Sequence, residues 1–518
     1  MLRVRRAEMI GVLTAASALA LGQKPATLLV GTLLSTALAR RLGWSERDLE
    51  TTYWYGLVRY AGCHAENHMF SALVGDEIAF NREYGLIDNG DPAELLPIVI
   101  ALVSKAHAGL GKAGVDALLA SSLPEMQSNA ETVIAGHCDV AQRLGARLGL
   151  DAAIVHALGQ FRERWDGKGL PHHVAGEALD RPVRLVFLCH DVAAIAAAFG
   201  REAAFEAVHK RSGNAYEPAL AEAFLTTGDE MGAALASHDV WRDVLEAEPG
   251  EPKLLTEAEL EDACLVMADF CDLQLPHAIS HSRSVAALAA TAAGSLGLAA
   301  DAVATLRRAA LMHDLGYAAI PERSRGGYAD AMHTSGDIRL HPYHSEDLIG
   351  RVPALAAEAA LAGRHHEACN GSGYFRGLSG AALGREARVL AAAEAYQTAL
   401  EGRFGAPPLN PAEAAAKLND QVKAGRIDGE AGRAVLAAAG HRVPVKKMGL
   451  VAGLTNRELE TLRLAASGLS MKEIGERLGI SPKTVDNHLQ SIYAKIEVKT
   501  RAGATLFAIE HGLCSLPN

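Results

Sequence analysis

Between residues 313 and 375 the chain sets out His313-Asp314, then His341-Pro342, then His365-His366-Glu367, and then the loop NGSGYF at 370–375. Imidazoles and carboxylates at widely separated positions suit a metal centre that several elements build together. Nitrogen and oxygen donors without any thiolate pattern point to iron, manganese or zinc. A lone histidine is ordinarily a core or surface residue. A His-Asp pair, a His-Pro pair and a His-His-Glu run in one short stretch make a pattern that carries a mechanism.

Positioning these groups requires helices. His281 begins HSRSVAALA, His313-Asp314 ends DAVATLRRAALMHD, and His341 starts HPYHSEDLIG. His365-His366 ends VPALAAEAALAGRHHE, and Glu394 lies inside REARVLAAAEAYQTAL. Five helices thus each offer one ligand or an adjacent pair. His277, one turn before His281, reads as a solvated histidine.

The order of these residues resembles the HD-GYP branch of the HD phosphohydrolases. The resemblance implies that His281, His313, Asp314, His341, His365, His366 and Glu394 hold two divalent ions. It also assigns catalytic roles to Asp314, Glu367, Gly371, Gly373 and Tyr374, and implies cyclic di-GMP as substrate. In such a site the ions activate water and neutralise the phosphodiester. The chain departs from the family at Tyr317, where a Lys is usual, at Asn370 and Phe375 in the loop, and at Glu394, where an Asp is usual.

The same pattern recurs upstream without its ligands. At an offset of 254, GLVRYAGC (56–63) lies over ALMHDLGY (310–317), and at an offset of 204, FRERWDGKGLP (161–171) lies over HHEACNGSGYF (365–375). The difference places an insertion of about fifty residues within 65–130 of the first copy. Thr27, Arg59, Tyr60, Phe161 and Arg162 stand where the second copy has His281, His313, Asp314, His365 and His366. His137 is retained opposite His341, and His190 faces Glu394. We therefore expect a degenerate HD-GYP-like domain over 1–230, an acidic linker at 229–254, and a metal-binding domain over 255–440. The arginines and apolar run of residues 1–23 imitate a secretion signal. The repeat assigns them instead to the opening helix of the first copy.

Beyond a basic linker at 441–449, residues 454–513 resemble the LuxR-type helix-turn-helix along their whole length. Thr455 with Glu458 and Ser470 with Glu473 form capping boxes. Gly468 can end the first helix, Gly479 makes the turn, and Ser481-Pro482 starts the next helix. Val485, Leu489, Ile492 and Ile496 form its apolar stripe, expected to pack on Leu462, Ile474 and Leu478. The other face offers Lys483, Thr484, Asn487, His488, Ser491 and Lys495 to phosphates and base edges. Gly475, where the family usually has Ala, is expected to loosen the helix before the turn. The last helix, TRAGATLFAIEHG, resembles the family's dimerisation helix, which implies a homodimer on two-fold DNA sites.

Bulk properties agree with this division. The 518 residues carry a net charge of −11, which excludes a general affinity for nucleic acid. Residues 444–518 hold ten Lys and Arg against seven Asp and Glu, a net +3 that leaves −14 on the rest. Seven scattered cysteines fit reduced thiols. The expectation is an all-α protein with two HD-type helical domains and a four-helix DNA-binding domain, cytoplasmic and without a membrane span. Its function is transcription regulation with an HD-GYP-like input that hydrolyses a phosphate ester or senses a nucleotide. The alternative is a cyclic-dinucleotide phosphodiesterase that the helix-turn-helix targets.

Overall fold

The computed structural model describes the chain except residues 1–2, 64–70, 72, 275–279, 323–335, 404–405, 441–450, 512 and 514–518. His277 and the basic linker at 441–449 therefore lie outside the described residues. Among those described, the regular elements are all helical, and the chain divides into two compact units at Thr256/Glu257.

The helices of the first unit used below are α1 (Arg6–Ala20), α2 (Pro25–Arg41), α3 (Glu46–Val58), α4 (Gly111–Arg147) and α5 (Arg181–Phe199). Helix α1 is a core helix, with Met9, Ile10, Leu13, Ala15 and Ala16 all buried. Helix α5 is long and apolar enough to cross a membrane by length and composition, but 67% of its apolar window is buried within the protein. There Leu185, Leu188, Val192 and Ile195 join Leu34 and Leu38 of α2 in one core.

Within 65–130 the described residues from 77 onward are largely helical, and Val99, Val103, Val115 and Leu119 make a small core of their own. Residues 229–254, expected as a linker, instead complete the first unit. The Tyr53 hydroxyl donates to the carbonyl of Val244 at 3.0 Å, and Arg5 donates to the carbonyl of Leu245 at 2.7 Å. Trp241 covers Gly11 of α1 so closely that a side chain there would collide with the indole. The acidic composition had masked these few apolar anchors.

In the second unit α6 (Glu257–Leu273), α7 (His281–Ser295), α8 (Ala300–Met312), α9 (His341–Gly350), α10 (Ala356–Ala362) and α11 (Arg385–Glu401) surround the candidate ligands. The helix before His365 stops at Ala362, so His365 and His366 occupy the turn that follows rather than the helix itself. The C-terminal helices are α12 (Asn456–Ala466), α13 (Met471–Leu478), α14 (Pro482–Lys495) and α15 (Arg501–Glu510).

The two units share local geometry at the offsets read from sequence. In the first, the Glu163 carboxylate accepts from the backbone N–H of His172 and Val174; in the second, Glu367 accepts from those of Arg376 and Leu378. Gly62 lies against the backbone of His137 and Ala141, as Gly316 lies against that of His341 and Ser345. Both glycines occur where two backbones approach too closely for a Cβ.

Candidate metal centre and nucleic-acid interface

In the second unit three histidines reach the centre by the same local device. Nδ1 of His313, His341 and His365 lies 2.7, 2.6 and 2.6 Å from the carbonyl oxygens of Ala310, Ile338 and Ala362, each three residues earlier. Each histidine follows a helical turn whose last carbonyls lack an intrahelical donor. A carbonyl only accepts, so Nδ1 carries the proton and Nε2 is left with its lone pair. His281 is fixed in the same sense by a carboxylate, with Nδ1 2.7 Å from Glu401.

The candidate ligand atoms converge in two groups, His281 with His313 and Asp314, and His341 with His365 and His366. In each, one ligand atom per residue lies within 4.8 Å of the others. Asp314 joins the groups. Its Oδ1 lies 3.3 Å from His313 Nε2, 3.6 Å from His341 Nε2 and 3.5 Å from His365 Nε2, while Oδ2 lies 3.6 Å from His281. Glu394 lies 2.8 Å from His281 Nε2 and 3.3 Å from His313 Nε2. The structure thus brings all seven sequence-predicted ligands into one cluster, all of them buried except the half-buried His366.

A cation fits this donor set. Nε2 of His341 and Nε2 of His365 face each other at 2.9 Å with both protons committed to Nδ1. Two lone pairs at that distance repel unless a positive charge lies between or beside them. His313 Nε2 and Asp314 Oδ1 are buried and, among the described residues, have no hydrogen-bond partner. Burial pushes His341 down to about 3 and His366 down to about 4, which keeps both imidazoles neutral and able to ligate. Burial alone would raise the Asp314 carboxyl, but His313 and Arg403 outweigh it and hold it below the usual carboxylate range.

Sequence reasoning missed two residues. Glu401 orients His281. Arg403 donates to Asp314 Oδ2 at 3.1 Å and approaches His281 Nε2 at 2.9 Å. The arginine in EGRFGAPP was the available signal, although only the fold returns it to the centre. Tyr317 stacks on His341 with ring centroids 4.1 Å apart, and its buried hydroxyl has no partner among the described residues.

Of the residues expected to be catalytic, Asp314 lies in the centre and Tyr374 stacks on His366 at 4.8 Å. Glu367 is engaged locally: its two oxygens accept from the N–H of Arg376 and Leu378, each at 2.8 Å, which shapes the loop. Gly371 supplies a positive φ of 78° to that loop, and Gly373 its closest backbone approach.

In the C-terminal domain both capping boxes are formed, and Ser481 caps α14 by accepting from the N–H of Thr484. Val485, Leu489, Ile492 and Ile496 are buried with Leu462 and Ile474 in one core, against which Leu478 packs. The Ile480 N–H donates to the Gly475 carbonyl, and a Cβ at Gly475 would come 2.7 Å from the Ile480 oxygen, so an Ala here needs the turn to shift.

On the polar face of α14, Lys483 and Asn487 are exposed and Thr484 and His488 partly so. Lys483 pairs with Asp486 at 2.8 Å. Ser491 and Lys495 are both held by Glu458, at 2.7 and 2.6 Å. The outer residues Leu506 and Ile509 of α15, the helix expected to dimerise, are fully buried in the single chain, where α15 packs against α6.

Burial raises the Glu458 carboxyl, but the Lys495 ammonium, the Thr455 N–H and Ser491 outweigh it and push it down to about 2. A depressed folded-state value means that this support is present above the ordinary value of 4.5 and is lost as pH falls towards 2. Glu458→Gln is expected to remove that part of the acid sensitivity. Thr455→Ala is expected to cost about 1 kcal/mol through the cap. Acid titrations followed by circular dichroism check both, and an unchanged acid midpoint in Glu458→Gln would refute the assignment.

These two sites define a protein that joins an HD-type metal-ligand domain to a DNA-binding helix-turn-helix. Family comparison agrees: residues 265–431 match the HD domain, and residues 452–508 match the bacterial regulatory proteins of the luxR family. Two relatives are from Vibrio cholerae. The 3'3'-cGAMP-specific phosphodiesterase 3 is 24% identical over 397 residues, covering 75% of this chain and 85% of its own. The 3'3'-cGAMP-specific phosphodiesterase 1 is 29% identical over 188 residues, 35% of this chain and 42% of its own. The response regulator protein VraR of Staphylococcus aureus is 41% identical over 68 residues, 13% of this chain and 32% of its own. The crystal structure of V-cGAP3, a cyclic GMP-AMP-specific phosphodiesterase of V. cholerae, covers 85% of this chain and 99% of its own, with a TM-score of 0.58 and 19% identity, and shows the shared fold.

Proposed function

We propose that this chain is a DNA-binding transcription regulator whose HD centre holds two divalent ions and hydrolyses a cyclic dinucleotide. The observation that carries the reading is the pair of three-ligand groups joined by Asp314, with the lone pairs of their histidines turned inward. When bound, the ions supply charge neutralisation and activation of water for phosphodiester hydrolysis. In that reaction a water oxygen bonds to phosphorus, one ester P–O bond breaks, and the departing sugar oxygen takes a proton, giving a linear dinucleotide.

The protein's own groups prepare the site. Glu401 and three backbone carbonyls orient the imidazoles, an arrangement worth about 10–100-fold in metal affinity. Arg403 brings a fixed positive charge to the same carboxylates. Tyr317, at the position where a Lys is usual in the resembling family, places its ring face and buried hydroxyl beside His341, and Tyr374 stacks on His366. We further propose that residues 1–230 form a degenerate HD-type copy, supported by the matched pairings of Glu163 with Glu367 and Gly62 with Gly316.

The names of the two V. cholerae relatives favour 3′3′-cGAMP over the cyclic di-GMP that the resemblance implied. Full-length protein loaded with iron, manganese or zinc is therefore expected to open 3′3′-cGAMP faster than cyclic di-GMP, measured by chromatography of the products. Metal-loaded protein that turns over neither, yet binds one of them, would replace hydrolysis with sensing. Protein that takes up no metal would overturn the centre itself.

A further inference from the structure

The first unit contains a buried cationic cluster with no assigned role. Arg59 is 1% exposed. One of its nitrogens, Nη2, donates to the carbonyl of Phe161 at 3.0 Å. Its guanidinium carbon lies 5.0–5.7 Å from the rings of Tyr55, Tyr60, Phe161 and Phe187. Among the described residues, Nε and Nη1 have no hydrogen-bond partner.

Arg162 lies over the same Phe161 ring at 4.8 Å, and its Nε is also without a partner. His190 lies 5.5 Å from Tyr60 with neither ring nitrogen partnered, and His137 Nε2 is likewise alone. Burial keeps both imidazoles neutral, pushing His137 down to about 3.

Aromatic faces offset part of a buried charge, but they do not satisfy N–H groups that point along the guanidinium plane. Asp191 is the carboxylate felt by both Arg59 and Tyr60, and it is already engaged by Arg211 at 3.3 Å and by the Tyr216 hydroxyl at 2.9 Å. Among the described residues positive charge is therefore in excess: Arg59 Nε and Nη1 and Arg162 Nε lack an acceptor, while Arg162 Nη1 donates to the Asn89 amide oxygen at 3.1 Å. Arg162 and His137 are partly exposed, whereas Arg59 and His190 are buried. Two guanidiniums from separate elements, with imidazoles beside them, suit a multiply charged oxyanion better than a single carboxylate.

We propose that the cluster of Arg59, Arg162, His137 and His190 is a binding site for the phosphate group of a small molecule. The site needs neither metal in the second unit nor DNA, and it stands whether or not the two units are repeats.

The test uses the full-length chain carrying Asp314→Ala, kept metal-free with a chelator so that the second unit does not contribute. Inorganic phosphate, 5′-GMP, cyclic di-GMP and acetate are titrated by calorimetry. Saturable binding of at least one phosphate probe is expected, with none for acetate. Binding of inorganic phosphate identifies free phosphate as sufficient, whereas binding of GMP or cyclic di-GMP alone identifies a nucleotide. Arg59→Met is expected to weaken binding about tenfold or more by removing charge-assisted hydrogen bonds. Arg162→Gln, at a partly exposed position, is expected to weaken it in the same direction and decides the matter if Arg59→Met loses its helical circular dichroism. Absence of saturable binding by every phosphate probe, or equal binding by parent and both variants, overturns the proposal.

Discussion

Asp314→Ala is expected to empty both halves of the metal centre, whereas His341→Ala is expected to empty chiefly one. The reason is geometric. Asp314 Oδ1 lies within 3.6 Å of three histidine nitrogens drawn from both groups, and Oδ2 faces His281. His341 belongs to one group alone. Loss of an outer partner such as Glu401 costs about 10–100-fold in affinity. Loss of the shared carboxylate should exceed that range, and hydrolysis should fall to background. Elemental analysis of the purified variants measures the effect directly. Glu401→Gln should keep the ions at high metal concentration and release them on dilution, because it only orients His281. An Asp314→Ala protein with the parent's metal content would end the bridged-centre reading. Duplex DNA binding by the same variant should be retained, since α14 supplies none of the ligands.

The second large effect is expected at the recognition helix. Duplex DNA should bind residues 450–518, and Asn487→Ala should cost about 1–3 kcal/mol and relax specificity, as loss of a base contact does. Lys483 is exposed and held only by the nearby Asp486, so Lys483→Ala should weaken binding to all sequences and lower the salt slope by about one. Lys495 and Ser491 differ, because Glu458 holds both. Lys495→Ala should therefore also lower the stability of the domain, visible as a reduced melting temperature without DNA. Gel shifts across a salt series, paired with thermal melts, separate the two effects. Failure of 450–518 to retard any genomic fragment at low salt would count against the interface.

Much of the C-terminal domain was legible because its determinants are local. A capping box joins residues three apart, as in Ser470 with Glu473, and an apolar stripe repeats with the helical period. Both can be read without knowing what lies across the core. The crowding at Gly475 was not legible for the complementary reason: it comes from the oxygen of Ile480 returning through a turn. The expected linker at 229–254 failed in the same way, since Val244 and Trp241 acquire their meaning from Tyr53 and Gly11, which lie far off in sequence.

The sequence by itself determined the ligand chemistry: histidines and carboxylates with no thiolates, in pairs that share a strong resemblance to HD phosphohydrolases. It also contained the means of orienting three histidines, because their carbonyl partners lie only three residues back. Tertiary structure decided how those ligands divide into two groups and that Asp314 joins them. It also turned Glu367 towards its own loop and returned Arg403 to a carboxylate 89 positions away. Composition and spacing specify which atoms can bind a cation. Their distances depend on helix packing, which sums many weak contacts between residues remote in the chain.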